Sequence, residues 1–316
     1  MARLAELAGV AKVTVSRALN DSGAVHGETR SRILTLAAEH GYVINQAARS
    51  LSLKRSHMIA VVVDMEEGDA RPEAEPYPLE LLAGLADRAD VEGYAITLTT
   101  RRRWAEARAR GLDAAVLLGQ GANGAAALLS RAGLPLVVWG ADDGSGRLFV
   151  GGDDHAGGGV AARRLLELGR RRLAFVGDAH HPELAARRAG FEAAARAGGA
   201  SAFSLSCGFS FAAGFAAGAE LLRLGGIDGV LCGAGDVCAM GMVRALLEAG
   251  AAVPDAVSVI GYDDALMAAS FVPALTTVRQ DWRGGGALLA EKVLALIEGR
   301  AVRSETLPVE LRVRAT

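Results

Sequence analysis

Little in this 316-residue chain is sulfur, aromatic or continuously apolar, and each shortage excludes something. Its three cysteines, Cys207, Cys232 and Cys238, match no metal-ligand spacing, so neither a zinc module nor a disulfide framework is expected. They suit core or surface thiols in a reducing compartment. No run of about 18 strongly apolar residues occurs, so no transmembrane helix and no membrane partner are expected. A signal peptide needs an apolar block near the start. Arg3 and Glu6 stand there instead, within an amphipathic segment, and the expected location is the cytoplasm. No Ser-His-Asp, Cys-His or paired-carboxylate constellation stands out, so neither enzymatic activity nor a cofactor is expected. After Leu311 only Arg-Val-Arg-Ala-Thr follows, with no heptad for a coiled coil, so tetramerisation is not expected.

What is present is abundant small apolar mass. Hydrophobic residues make up 51% of the chain, mean hydropathy is +0.25 and there are 40 glycines, the signature of a packed chain with room for two or three domains. The net charge of −2 is unevenly spread. Residues 1–55 hold eight Lys/Arg against four Asp/Glu, whereas the rest of the chain holds 26 against 32. A basic head on an acidic body suits a polyanionic partner at one end.

Residues 8–19 are the most informative dozen. Gly9 supplies a tight turn. On a helical wheel Val15, Ala18 and Leu19 then share one side, and Lys12, Val13, Ser16 and Arg17 share the other. A short helix at 2–8, a Gly-containing turn and a second helix with a polar reading face follow helix-turn-helix logic. A third helix is expected over 28–40, with Ile33, Leu36 and Ala37 inward and a stop at Gly41. A short helix-compatible linker follows at 45–51, too short to be stable without help.

From Met58 apolar strands alternate with helical blocks. Strands are expected at 59–64, 95–99, 114–118 and 136–139, and the pattern restarts with strands at 173–176, 202–206, 229–232 and 258–262. A last helix at 283–298 and a short strand near 307–312 close the chain. Two α/β lobes in series place a ligand cleft at the carboxyl ends of their strands.

Specific motifs run through this pattern. They are Leu-Ala-Gly-Val at 7–10, Thr-Val-Ser-Arg at 14–17, Thr-Arg at 29–30, Gly-Tyr-Val at 41–43 and Ala-Arg-Ser-Leu at 48–51. In the body they are Leu-Glu-Leu-Gly-Arg-Arg-Arg-Leu-Ala-Phe-Val at 166–176, Val-Ser-Val-Ile-Gly-Tyr-Asp-Asp at 257–264 and Leu-Thr-Thr-Val-Arg-Gln-Asp at 275–281. In this order and spacing the chain resembles the LacI/GalR family of bacterial transcriptional repressors over nearly its whole length. The resemblance implies an all-α helix-turn-helix headpiece (1–43), a hinge helix (44–56) and a two-lobed α/β body like the periplasmic binding proteins (57–316), with parallel sheets flanked by helices. Lobe one is expected at about 57–143 plus 278–300, and lobe two at about 144–277 plus the C-terminal strand. It also implies a homodimer on a pseudo-palindromic double-stranded DNA operator, controlled by a small effector, usually a sugar or related metabolite.

Site residues follow position by position. Lys12, Val13 and Arg17 match the base-reading positions. Arg and Lys donate to guanine O6/N7, and an apolar Val meets a thymine methyl. Thr14, Ser16, Asn20, Thr29, Asn45 and Arg49 are candidates for the DNA backbone, which positions rather than specifies. Leu51 is expected to wedge into the minor groove, with the small Ala48 beside it allowing close approach; the plainer alternative is that Leu51 packs on the body. For the effector the pattern falls on Asp153, Arg187, Phe209, Asp263 and Tyr77. Arg with Asp binds vicinal hydroxyls, and an aromatic face stacks on a sugar ring.

The chain departs from the pattern at several points. Gly235-Asp236 stands where Asn-Asp is usual, which points to an atypical effector. Residues 66–75 form a longer and more acidic loop than usual, and residues 100–111 are shorter than the norm. Ile44 replaces the proline that usually precedes the linker helix. His26 and Gly27 stand near where a capping serine is expected. The capping Thr ahead of helix one is also absent, and coding sequence upstream is expected. Two rival readings remain. One is a two-lobed sugar-binding protein, which would lack the headpiece. The other is an NAD-dependent enzyme, for which Gly119-Gln-Gly-Ala-Asn-Gly124 supplies a literal G-x-G-x-x-G with Asp142 and Asp143 downstream. That motif follows the third strand of its lobe, where a dinucleotide fold uses the first.

Overall fold

The computed structural model describes residues 1–19, 25–42, 55–63, 77–119 and 125–316, which fall into two compact units, Met1–His57 and Met58–Thr316. In the first unit α1 (Ala2–Ala8), α2 (Lys12–Leu19) and α3 (Gly27–Glu39) pack around Leu4, Ala5, Ala8, Val15, Ala18, Ile33 and Ala37. Gly9 ends α1 in the left-handed region at φ 61°, where a side chain would be strained, so the chain turns at once into α2. Arg32 then donates to the Ala8 carbonyl at 2.7 Å and ties α3 to the end of α1. Leu7 is 46% exposed, because the inward stripe of this short helix is Leu4, Ala5 and Ala8.

The described residues of the second unit form twelve strands: β1 (Met58–Val63), β2 (Ala95–Thr100), β3 (Ala114–Leu118), β4 (Leu136–Trp139), β5 (Phe149–Gly152), β6 (Arg172–Val176), β7 (Ser201–Leu205), β8 (Gly229–Cys232), β9 (Ser258–Asp263), β10 (Thr276–Arg279), β11 (Glu305–Leu307) and β12 (Glu310–Arg312). Its helices are α4 (Tyr77–Val91), α5 (Trp104–Ala109), α6 (Ala125–Ser130), α7 (Asp154–Glu167), α8 (Pro182–Ala197), α9 (Phe211–Leu224), α10 (Asp236–Glu248), α11 (Leu266–Ser270) and α12 (Trp282–Ile297). The strands form two six-stranded sheets, ordered β11-β5-β4-β3-β1-β2 and β12-β10-β9-β8-β6-β7. All described pairings are parallel except β10 with β12. Central strands such as β3 and β8 are buried throughout, the mark of parallel strands covered on both faces.

Glycine explains how the helices cover the sheets so closely. A Cβ on Gly84 would lie 2.0 Å from the Arg283 carbonyl oxygen, one on Gly158 1.8 Å from that of Arg187, and one on Gly214 1.9 Å from that of Cys238. These are the contacts of α4 with α12, α7 with α8 and α9 with α10, the three most extensive helix pairs.

Two lobe assignments change. The sequence pattern places 144–277 in the second lobe, yet β5 (Phe149–Gly152) pairs with β4 and completes the first sheet. Two of its four residues are glycine, so it carries almost no apolar signal, and pairing alone makes it a strand. The expected single C-terminal strand is two: β11 joins the first sheet and β12 the second. The chain therefore passes between the lobes three times, after β5, β10 and β11. The three crossings meet at Gly152. Its missing Cβ would lie 2.5 Å from Gln280 Oε1 and 3.4 Å from Val309 Cγ1, and the next residue, Asp153, donates its amide to the Leu307 carbonyl at 2.8 Å. Among the described residues no helix is long and apolar enough to cross a membrane.

Candidate functional site

On α2, Val15 is fully buried and Ala18 nearly so, whereas Val13 is 54% exposed beside the exposed Lys12 and Arg17. Thr14 and Ser16 are half-buried on the flanks. The amphipathic split of this helix thus leaves two cations and one apolar side chain on the face turned from its own core. Thr29 lies, half-buried, in the first turn of α3. Asn20, Asn45, Ala48, Arg49 and Leu51 lie outside the described residues.

The second site is a cleft between the two sheets, built from their carboxyl ends as open α/β sheets dictate. The first lobe contributes Gly119 after β3, Trp139 and Gly140 from β4, Gly151 and Gly152 from β5, and Trp282 from the start of α12. The second contributes Asp154, Glu183, Leu184, Arg187, Phe209, Ala234, Asp263 and Gln280. The space among them is about 540 Å³, part of it continuous with solvent.

Arg187 is the centre of the second-lobe wall. Its Nε donates to Asp154 Oδ1 at 2.8 Å and its terminal nitrogen to the Gly233 carbonyl at 2.7 Å. Its guanidinium lies 3.7 Å from the centroid of Tyr262, so the cation is held by a carboxylate, a carbonyl and a ring face at once. Burial alone would lower the Arg187 pKa, but Asp154, Tyr262 and Asp263 together outweigh it and keep the guanidinium ionised. Asp154 is pushed up to about 6 by burial; Arg187 offsets part of that, and the negative charges of Glu183 and Asp263 add to it. Tyr262, whose hydroxyl lies 3.3 Å from the same carboxylate, is also pushed up by burial.

Asp263 ends β9 with φ 110°, and Asp264 follows at φ 56°, conformations that non-glycine residues adopt only when neighbours hold them. Gln280 Nε2 donates to Asp263 at 2.8 Å, the Asp264 amide reaches Thr277 Oγ1 at 3.3 Å, and the Ala265 amide donates to Asp236 at 2.7 Å. Asp236 is fully buried, which pushes its carboxyl well up, and accepts the Thr277 hydroxyl at 2.6 Å. It supports the strained turn and does not line the cleft.

Three expected effector residues, Arg187, Phe209 and Asp263, come together in this cleft. Asp153 does not line it. Its carboxylate caps α7 through the Ala156 amide at 2.9 Å, and the next residue, Asp154, occupies the cleft in its place. Tyr77 begins α4. Sequence reasoning missed Asp154, Glu183, Gln280 and the two tryptophans. A usable signal existed for all but Glu183, because each of the others stands at or within three residues of the carboxyl end of a strand, whereas Glu183 lies in the first turn of α8. Asp142 and Asp143 accept from the amides of Gly144 and Ser145 within their own turn. Among the described residues no group of His, Cys, Asp and Glu could hold a metal.

Residues 1–45 match the family of bacterial regulatory proteins named for lacI, and residues 162–316 match the periplasmic binding protein-like domain. The HTH-type transcriptional regulator CelR of Thermobifida fusca is 32% identical over 98% of this chain and 93% of its own length. The chain belongs to the LacI/GalR family of bacterial transcriptional regulators. Like its relatives it is a DNA-binding transcriptional regulator. Among solved structures, the lac repressor dimer bound to operator and the anti-inducer ONPF superimposes with a TM-score of 0.85 at 26% identity, covering 99% of this chain and 97% of that one. The complex of CelR with cellobiose gives a TM-score of 0.76 at 29% identity over 99% and 98%. In this LacI/GalR regulator, α2 is the second helix of the helix-turn-helix, and the two-lobed body is the periplasmic-binding-like domain.

Proposed function

We propose that this regulator is a repressor that binds a pseudo-palindromic operator as a homodimer and is switched by a small carbohydrate effector in the interlobe cleft. The observation that carries the reading is the pairing of an outward Lys12–Val13–Arg17 face with a cleft lined by Arg187 from α8 and Asp263 at the end of β9. Lys12 and Arg17 donate to guanine edges, and Val13 covers a thymine methyl. Thr14, Ser16, Asn20, Thr29, Asn45 and Arg49 hold the phosphates. Leu51, with Ala48 beside it, opens a step in the minor groove. Exposed Leu79 and Leu98 in the first lobe, and Leu266, Met267 and Val272 in the second, supply apolar surface that a partner protomer would cover.

Selection of genomic fragments by the purified full-length protein, followed by sequencing, tests the proposal. Enrichment of one pseudo-palindrome, released by a small molecule, is the expected result. Retention of DNA without sequence preference would overturn it.

A further inference from the structure

The residues Arg-Val-Arg-Ala-Thr after Leu311 carry no coiled-coil heptad, and the second lobe binds them instead. The alternation of β12 continues through them. Arg312 and Arg314 both face Asp264, while Val313 is 53% exposed. Backbone bonds fix the stretch beside β10. The Arg314 amide donates to Thr276 Oγ1 at 3.0 Å, and the Ala315 amide donates to the Ala274 carbonyl at 2.8 Å. The Arg314 guanidinium then holds two groups at once. One terminal nitrogen donates to the Leu275 carbonyl at 2.8 Å and the other to Asp264 Oδ1 at 2.5 Å. Arg312 Nε lies 4.0 Å from the second oxygen of the same carboxylate.

What Arg314 grips is one half of the strained turn. Asp263 and Asp264 stand in succession at φ 110° and 56°, a backbone that non-glycine residues keep only where several groups hold it. Asp263 lines the cleft, whereas Asp264 and Arg314 do not. The two aspartates share one planar peptide, so a change of φ at Asp264 turns the backbone of Asp263 with it. Gln280 holds the Asp263 carboxylate itself. The Asp264 amide reaches Thr277 only at 3.3 Å, and among the described residues only Arg314 hydrogen-bonds the Asp264 carboxylate.

We propose that Arg314 is a positioning residue for the effector cleft: by fixing Asp264 to the residue that precedes β10, it holds the turn that presents Asp263. The inference rests on the cleft being the effector site, as proposed above.

Hydrogen–deuterium exchange of the ligand-free full-length protein tests it. Arg314→Ala is expected to speed exchange over residues 262–268 by about ten-fold or more and to leave β6 unchanged. A crystal structure of this variant is expected to show Asp263 displaced from Gln280. Asp264→Gly is the rescue, because glycine adopts a positive φ without strain and leaves no carboxylate behind. Arg314→Ala with Asp264→Gly is expected to recover slow exchange. Arg314→Ala with Asp264→Ala keeps the Cβ and is expected to stay fast. An ion pair that merely stabilises the lobe would respond alike to both, since both remove the carboxylate. Unchanged exchange over 262–268, acceleration spread evenly across the second lobe, an unmoved Asp263, or no advantage of glycine over alanine overturns the proposal. If Arg314→Ala does not fold, Arg314→Lys is read in its place, because an ammonium lacks the fork that spans Asp264 and the Leu275 carbonyl. Exchange about three-fold faster is then expected, and unchanged exchange overturns the proposal. These readings use neither effector nor operator DNA. Failure of the proposed function therefore shows in the fragment selection, and failure of the Arg314 assignment shows in the exchange.

Discussion

Arg187 is costly to remove, because Asp154 stays behind in the wall without its cation. Stripping one partner from a buried ion pair typically costs about 3–5 kcal/mol. Here the loss is eased at low pH, where Asp154 takes up a proton. Arg187→Ala is therefore expected to lower the melting temperature at pH 7 more than at pH 5, and to abolish effector response while operator affinity is kept. Calorimetric melts at the two pH values and fluorescence anisotropy on operator DNA check both. The sign for Asp154 follows from its carboxyl lying near 6 when folded against 3.8 in the unfolded chain. Across that window the native state holds a proton that the unfolded state has released, so stability falls as pH rises from about 4 to about 6. The fall is on the order of 3 kcal/mol for a shift of this size. Asp154→Asn is expected to flatten it, which the difference between wild-type and variant melts across pH 4–7 measures. An unchanged slope would remove Asp154 as its source.

Helix pairs in this molecule meet through glycine. Replacing a helical glycine by alanine ordinarily stabilises a helix by about 0.5–1 kcal/mol. At Gly158 the new Cβ would fall 1.8 Å from the Arg187 carbonyl oxygen, so α7 and α8 must separate. Gly158→Ala is expected to cost about 1–3 kcal/mol in urea unfolding, as overpacking does, and to weaken effector binding by moving Arg187. The linker carries a prediction of its own under the proposed function. Leu51→Ala is expected to weaken specific operator binding by about 2–3 kcal/mol, the scale of a lost unstacking wedge, and to spare effector binding. An anisotropy titration at fixed salt reads this, and unchanged affinity would return Leu51 to a packing role. Most elements were legible in the sequence, since alternation of apolar strands with amphipathic helices survives any tertiary arrangement. The exceptions are instructive. Phe149–Gly152, Leu266–Ser270 and Thr276–Arg279 are only four or five residues long, and their neighbours make them a strand, a helix and a strand.

Across the whole molecule, three chain crossings meet at one glycine and the cleft lies between the lobes they join. Gln280 touches both features, since it reaches Asp263 in the cleft and packs against Gly152 at the crossings. Assembly belongs to this scale too. Under the proposed function the protein is expected to sediment at roughly twice its 32.5 kDa chain mass. Charged substitutions at Leu266 and Val272, both more than 80% exposed in a single chain, are expected to give monomers with weakened operator binding. Analytical ultracentrifugation measures the first and anisotropy the second. A wild-type monomer that binds operator fully would overturn the dimeric reading.

The sequence by itself determined the local layers: the helix-turn-helix, the reading face of α2, the alternating α/β body and the motifs that place the chain in its family. These depend on periodicity and turn chemistry within a few neighbouring residues. It also marked Arg187, Phe209 and Asp263. Only the tertiary structure decided which neighbouring acid faces the cleft. Asp153 and Asp154 are equivalent on paper, and the N-terminal geometry of α7 spends the first on capping and turns the second toward Arg187. The charge balance of the cleft was decided in the same way. Its acids come from α7, α8 and β9, far apart in the chain, and their fields add only once two sheets bring their carboxyl ends together.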